Sequence, residues 1–168
     1  MKKGYIKILY IGVLIIMVSV LTGCFKIKTK IEDLKSFHYS YSVGYYMNAS
    51  ISYDITKEKD SNVYLVKIKD AGMPEEEARE YTLKNEKIEE FVDLLNNTVI
   101  YKWNGFNKSD KNVMDGNSFS ISINWGNQRN ISAHGYMKYP TKYKEIRSKI
   151  ESWFYDIDVN RPKENTQD

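Results

Sequence analysis

The sequence predicts an α+β fold: an antiparallel sheet of about five to seven strands with two helices packed on one face. Three observations carry this. Apolar and polar residues alternate strictly in several stretches, the pattern of half-buried strands. Two later stretches space their apolar residues at three and four, the pattern of helices with one buried face. A strand-strand-helix order also occurs twice. At a constant offset of 55, Tyr81, Ile88, Phe91 and Leu95 map onto Tyr136, Tyr143, Ile146 and Ile150. Two such units arise by duplication, or by the chance alignment that any two amphipathic helices reach at some offset.

In chain order, the first alternation places Phe37, Tyr39, Tyr41, Val43 and Tyr45 on one side, with His38, Ser40, Ser42 and Gly44 on the other. A second strand sets Ala49, Ile51, Tyr53 and Ile55 against Asn48, Ser50, Ser52 and Asp54. Residues 57–62 turn into a third strand over 63–68, apolar throughout and therefore central. After a loop with Gly72 and Pro74, residues 81–83 read as a short strand, while 75–84 is equally open to a helical turn. Asn85 offers an N-cap to a helix whose buried stripe is Ile88, Phe91, Val92 and Leu95. Residues 99–103 return to extended structure, and 104–117 form a polar loop. Phe119, Ile121, Ile123 and Trp125 then alternate with Ser118, Ser120, Ser122 and Asn124. Gly126-Asn127 turns this strand into another over 129–134. Pro140 opens a last helix with the stripe Tyr143, Ile146, Ile150, Trp153 or Phe154, and Ile157.

The N-terminus follows a different rule. Lys2, Lys3 and Lys7 precede 18 residues, 8 to 25, without a charged side chain. A basic n-region before an apolar h-region is the pattern of a secretory signal, although this length also sits at the lower limit for a membrane span. The run ends in the small residues Thr22 and Gly23, a cysteine follows, and a charged stretch comes next. Leu21-Thr22-Gly23-Cys24 resembles the lipobox of bacterial lipoproteins, and the resemblance covers this segment alone. It implies a signal peptide over 1–23, cleavage before Cys24, and a diacylglyceryl group bearing palmitate-type chains on the Cys24 sulfur. The protein would then be held at the extracytoplasmic face of the cell membrane. Two or three acyl chains, at about 0.8 kcal/mol per buried CH₂, anchor stably where one does not. A lysine-rich tether over 24–35 leads into a single domain over 36–160, and 161–168 reads as a flexible tail.

Processing also changes the charge. The precursor has 25 basic and 22 acidic residues, a formal +3. Its three N-terminal lysines leave with the signal and no acidic residue does, so the mature chain is neutral and no nucleic acid partner is expected. Cys24 is the only cysteine. Its lipidation leaves no thiol for a disulfide, a metal or a nucleophile, and about 145 residues must hold together by core packing. The abundance of Lys, Ile, Asn and Tyr fits an AT-rich genome and a Gram-positive bacterium. In that setting the Asn-x-Ser/Thr triplets at Asn48, Asn96, Asn107 and Asn130 are chance products of composition.

No catalytic constellation is evident. A hydrolase needs a nucleophile, a base and an orienting group, yet there is no Gly-x-Ser-x-Gly elbow. The two histidines, His38 and His134, fall on the polar register of strands. Neither HExxH nor cysteine spacing marks a zinc site, so no metal and no other cofactor is expected. The loop NKSDKNVMDGN contains calcium-type ligands, but setting Asp115-Gly116 at positions five and six of an EF-hand puts Lys111 and Val113 where ligands belong. A turn-forming loop and an irregular cation site both remain open readings. Glu75, Glu76, Glu77 and Glu80 read as a solvated acidic surface.

The chain is instead rich in rings, with 14 tyrosines and 3 tryptophans. Trp103, Phe106 and Trp125 flank the polar loop and the hairpin tip, beside Asn104, Asn127, Gln128 and Arg129. With His134 they form the candidate binding surface, of a kind that stacks on sugars or anchors a protein partner. The alternative is that these rings pin the loop to the core. The expected function is a lipid-anchored, non-enzymatic binding or interaction module of the cell envelope, its partner an envelope protein or glycan. The alternative is a surface-anchored hydrolase acting on envelope polymers.

Overall fold

A computed structural model describes residues 29–44 and 50–160. The signal, Cys24, most of the expected tether and the expected tail at 161–168 lie outside the described residues. Among the described residues there are seven strands: β1 (Leu34–Ser42), β2 (Ser50–Lys57), β3 (Val63–Lys69), β4 (Arg79–Lys84), β5 (Phe106–Ser109), β6 (Ser118–Trp125) and β7 (Arg129–Tyr136). Two α-helices, α1 (Asn85–Asn96) and α2 (Tyr143–Val159), follow the antiparallel pairs β3–β4 and β6–β7. The class is α+β, as the periodicities predict. Tyr81 and Tyr136, equivalent under the offset of two units, lie on opposite faces of the sheet. Tyr81 pairs with buried Val66, whereas Tyr136 alternates with buried Gly135.

The sheet is mixed rather than purely antiparallel, in the order β4-β3-β2-β1-β6-β7-β5. β5 runs parallel to β7, with Phe106 opposite Ala133 and Ser109 opposite Tyr136. The reason is that β7 lies between β5 and β6. The loop from Asp110 to Asn117 must therefore cross the end of β7, where Asp110 N–H donates to Tyr136 O at 2.9 Å and Met137 N–H to Asn117 O at 2.9 Å. Residues 99–103 also depart from the extended expectation. Ile100–Trp103 is a 3₁₀ turn, a geometry in which residues three apart share a face, and it buries both Ile100 and Trp103. The competing expectations for 75–84 are both met in part, by a 3₁₀ turn at Glu75–Glu77 followed by β4.

Strand alternation delivers the core. Phe37 and Tyr39 of β1, Ile55 of β2, Tyr64, Val66 and Ile68 of β3, and Phe119, Ile121, Ile123 and Trp125 of β6 are all buried. Rings of both helices meet residues of these strands. Phe91 of α1 meets Phe37 edge to face at 4.8 Å, and Phe154 of α2 stacks on Tyr53 at 4.6 Å and on Phe37 at 5.9 Å. Tyr39 and Tyr143 satisfy one another, hydroxyl to hydroxyl at 2.8 Å, so neither buried phenol is left unpaired. At its far end α2 is fastened to β4 by Asp158, which accepts from Arg79 Nε at 2.8 Å and from the Tyr81 hydroxyl.

Within the stretch read as tether, Ile31 and Leu34 are core residues, each 1% exposed. Asn96, at the end of α1, accepts from Ile31 N–H and donates to Ile31 O, both at 2.9 Å. The chain is thus fixed to the domain only seven positions after Cys24. None of the helices among the described residues is long and apolar enough to cross a membrane.

Candidate functional site

The rings expected to form one binding surface are distributed over three places. Trp103 is fully buried, donates its indole N–H to Thr141 O at 3.0 Å and packs on Phe119 and Tyr143. Phe106 is half-buried against Phe119. These two rings pin the loop to the core. His134 lies exposed on the opposite, polar face of β7. Trp125 and Arg129 do come together, opposite one another across the β6–β7 hairpin. They share a groove of about 560 Å³ with Lys30, Tyr101, Asn104 and Gln128. The hairpin turn holds three residues rather than two, with Gly126 and Gln128 at positive φ of 50° and 60°.

A second groove, of about 810 Å³, lies at the other end of the sheet between Tyr41, Met137, Tyr139, Tyr143 and Arg147. β1 supplies Tyr41, the segment after β7 supplies Tyr139, and α2 supplies Arg147 from its first turns. Arg147 stands 3.7 Å from the Tyr41 ring centroid and donates Nε–H to Glu151 at 2.7 Å. Partial burial opposes its charge, but the bond to Glu151 and the nearby Tyr39 oxygen outweigh that cost and raise its pKa. The guanidinium is therefore a permanent cation over an aromatic face. Tyr139 stacks on Tyr143 at 4.6 Å yet is 38% exposed. Burial pushes the Tyr143 phenol up to about 12, so it stays protonated at any physiological pH.

Two exposed apolar side chains, Met137 and Tyr139, line this groove. Val43, Met114, Met137 and Tyr139 are all exposed, Met114 by 94%. The polar loop is bonded to the chain after β1 and to β7 at this end of the sheet. Gly44 N–H donates to Asn117 Oδ1 at 3.2 Å, and Tyr136 accepts from Gly116 N–H at 2.7 Å while donating to Met114 O at 2.8 Å. Backbone and side-chain bonds of this kind, with the Lys138–Asp110 ion pair at 2.8 Å, account for the order of the loop. Among the described residues no group of three or more His, Cys, Asp or Glu side chains is arranged to hold a metal ion.

The polar face of the sheet is a grid of small hydroxyls and amides. Register aligns Asp54, His38, Ser122 and Ser132 in one row, and Ser52, Ser40, Ser120 and His134 in the next. None of these side chains is buried. Ser40 and Ser120 hydroxyls bond at 2.9 Å and Ser42 and Ser118 at 2.7 Å. His38 Nδ1 lies 2.6 Å from Asp54 Oδ1. That bond raises the His38 pKa, against the opposing effect of burial.

A raised folded pKa stabilises the fold below the unfolded value of about 6.5, and this contribution is lost as pH rises through the folded value. Asp54→Asn is therefore expected to destabilise the domain at pH 5.5 by at most about 1 kcal/mol, since the pair is half-exposed, and by less at pH 9. Urea unfolding at the two pH values checks this. An equal loss at both contradicts it.

Neither the Tyr41–Arg147 contact nor the His38–Asp54 pair was among the sequence-derived site residues. Tyr41 carried only the signal of a core strand position. His38 and Asp54 carried only that of a polar register. No protein-family profile matches the chain, and no curated protein matches it.

Proposed function

We propose that the chain is a lipid-anchored binding module outside the cell membrane, held by acyl chains on Cys24, with both helices on one face of the sheet. It engages an envelope protein or glycan through the groove between Tyr41, Tyr139 and Arg147. The observation that carries this reading is the pair of exposed apolar side chains Met137 and Tyr139 lining a groove with a guanidinium over the Tyr41 ring. Tyr, Met and Arg are the residues enriched at the cores of protein interfaces, and an apolar patch rimmed by charge marks a contact surface more often than a chance exposure. A flat aromatic beside a cation equally suits the face and hydroxyls of a sugar.

The rival is a surface hydrolase, and the His38–Asp54 pair with Ser122 in the same row is the observation in its favour. Two features speak against it. No bond joins His38 to Ser122 among the described residues, and strands β1 and β6 are each paired on both sides, which commits their N–H groups to the ladder and leaves no oxyanion donors there.

A photo-crosslinking residue at Tyr139 is expected to give adducts in intact cells, whereas one at Ser40 on the polar face gives none. Tyr139→Ala combined with Arg147→Gln is expected to abolish partner capture while shifting the melting temperature by only a few degrees, about what 1 kcal/mol accounts for. Adducts from Ser40 alone, or hydrolysis of purified cell-wall polymer lost in His38→Ala, would sink the groove reading.

A further inference from the structure

We infer that β4 is a self-association edge, along which a second copy of the chain lays its own β4 antiparallel, about a two-fold axis through Thr82. The pairing is independent of the Tyr41 groove. β4 ends the strand order on one side, and no loop or further strand is bonded to its backbone among the described residues. Alternate N–H and C=O groups along it therefore point outward, a template for another strand. The edge is regular. Its register with β3 runs without a bulge from Lys84 opposite Val63 to Arg79 opposite Ile68, and it contains no proline. The opposite edge of the sheet, β5, is only four residues long. β4 also leaves a border of the core unfinished. Tyr81 and Leu83 lie beside the buried Val66 and Tyr64 and are themselves only half-buried, because no strand lies beyond them.

The second support is the charge pattern. Side chains directly opposite one another in an antiparallel pair share a face, so a two-fold axis must pass through a residue and its own copy. With the axis at Thr82, Glu80 stands opposite the partner's Lys84, Tyr81 opposite the partner's Leu83, and the two threonines face one another. Each of the first two pairs occurs on both sides of the axis. Moving the axis by one residue sets Glu80 against Thr82 or Thr82 against Lys84, and moving it by two sets like charges against each other, at Glu80 or at Lys84. Only the Thr82 axis joins opposite charges on the exposed face and apolar side chains on the core face. Glu80, Thr82 and Lys84 are all exposed, and Lys84 has no ion-pair partner among the described residues. Lys67 stands 3.8 Å from Glu80 but holds Glu75 at 2.9 Å, which leaves Glu80 able to take the partner's Lys84. Arg79 is not required, being held by Asp70 and Asp158 at 2.8 Å each. Charges on an edge ordinarily repel another strand, whereas the alternation of sign here favours one register of self-pairing. An interface of one short strand a side is small, so the pair is weak and reversible.

The test is disulfide trapping of the full chain in intact cells, with copper phenanthroline as the oxidant. Thr82→Cys is expected to give a disulfide dimer of twice the chain's mass, because residues opposite one another in an antiparallel pair lie about 4.5–5.5 Å apart at Cβ, close to disulfide reach. Thr56→Cys is the control, exposed in the same row of the sheet two strands further in. The pairing would hold it about 24 Å from its counterpart, so it should give no more dimer than the parent, whose only thiol is Cys24. In the Thr82→Cys chain, Lys84→Glu should lower the dimer yield about fivefold or more, and Glu80→Lys likewise. The two exchanges together should restore the yield, since they recreate both ion pairs with the signs reversed. The melting temperature of each single exchange should match that of the parent, which separates a lost contact from a lost fold. Equal trapping of Thr82→Cys and Thr56→Cys overturns the inference. So does a Thr82→Cys adduct to a different protein in place of the dimer, or a double exchange that recovers no yield.

Discussion

Phe154→Ala is expected to destabilise the domain by about 3–5 kcal/mol, the usual cost of deleting a fully enclosed ring. The ring is 0% exposed and touches three elements besides its own. It stacks on Tyr53 of β2 at 4.6 Å and on Phe37 of β1 at 5.9 Å, and meets Phe91 of α1 at 5.6 Å. Trp153 closes the remaining side at 5.0 Å. Collapse around the void is restricted, because each neighbour is itself held by another ring or by strand pairing. Domains of this size hold only about 5–15 kcal/mol in total, so the melting temperature should fall by about 10–20 °C. One position along the same helix, Tyr155 is 66% exposed, and Tyr155→Ala should stay within about 0.5 kcal/mol of the parent. Thermal unfolding followed by circular dichroism separates the two. Similar losses at both positions would contradict the packing described.

Cys24→Ser is expected to abolish lipid attachment completely. A hydroxyl does not replace the thiolate as the nucleophile in diacylglyceryl transfer, and the chain has no second cysteine to substitute for it. Cells fed a palmitate analogue should label the parent protein and leave Cys24→Ser unlabelled. The variant should keep its signal, because cleavage depends on the lipidated residue in the family that the lipobox resembles. Its uncharged run of 18 residues is long enough to retain it at the membrane, so fractionation alone does not discriminate and the label does. Label on Cys24→Ser would contradict the anchor.

The helices and β6 were legible because each carries its own period. Ile88, Phe91 and Leu95 are buried in α1, and Tyr143, Ile146, Ile150, Trp153, Phe154 and Ile157 in α2, as spacing alone predicts. In β6 Phe119, Ile121, Ile123 and Trp125 are buried and the serines between them are not. β5 was not legible. Three of its four residues are exposed, and it is held by backbone bonds along β7, which side-chain patterns do not report. Val99, Ile100, Tyr101 and Trp103 are strand formers by type, and their turn is set by the need to bury Ile100 and Trp103 on one side. The grooves required pairings distant in sequence. Tyr41 meets Arg147 more than a hundred positions away, and Trp125 and Arg129 reach Lys30 only because β1 pairs with β6. Of the rings singled out beside the polar loop, Trp103 is a core residue, which a ring count does not distinguish from a surface one.

The most direct measurement of the central claim is the mass of the N-terminal peptide of the protein recovered from bacterial membranes. The account predicts a peptide that begins at Cys24 and carries a diacylglyceryl group, with nothing from residues 1–23. A peptide that begins at Met1, or one with an unmodified Cys24, would contradict it.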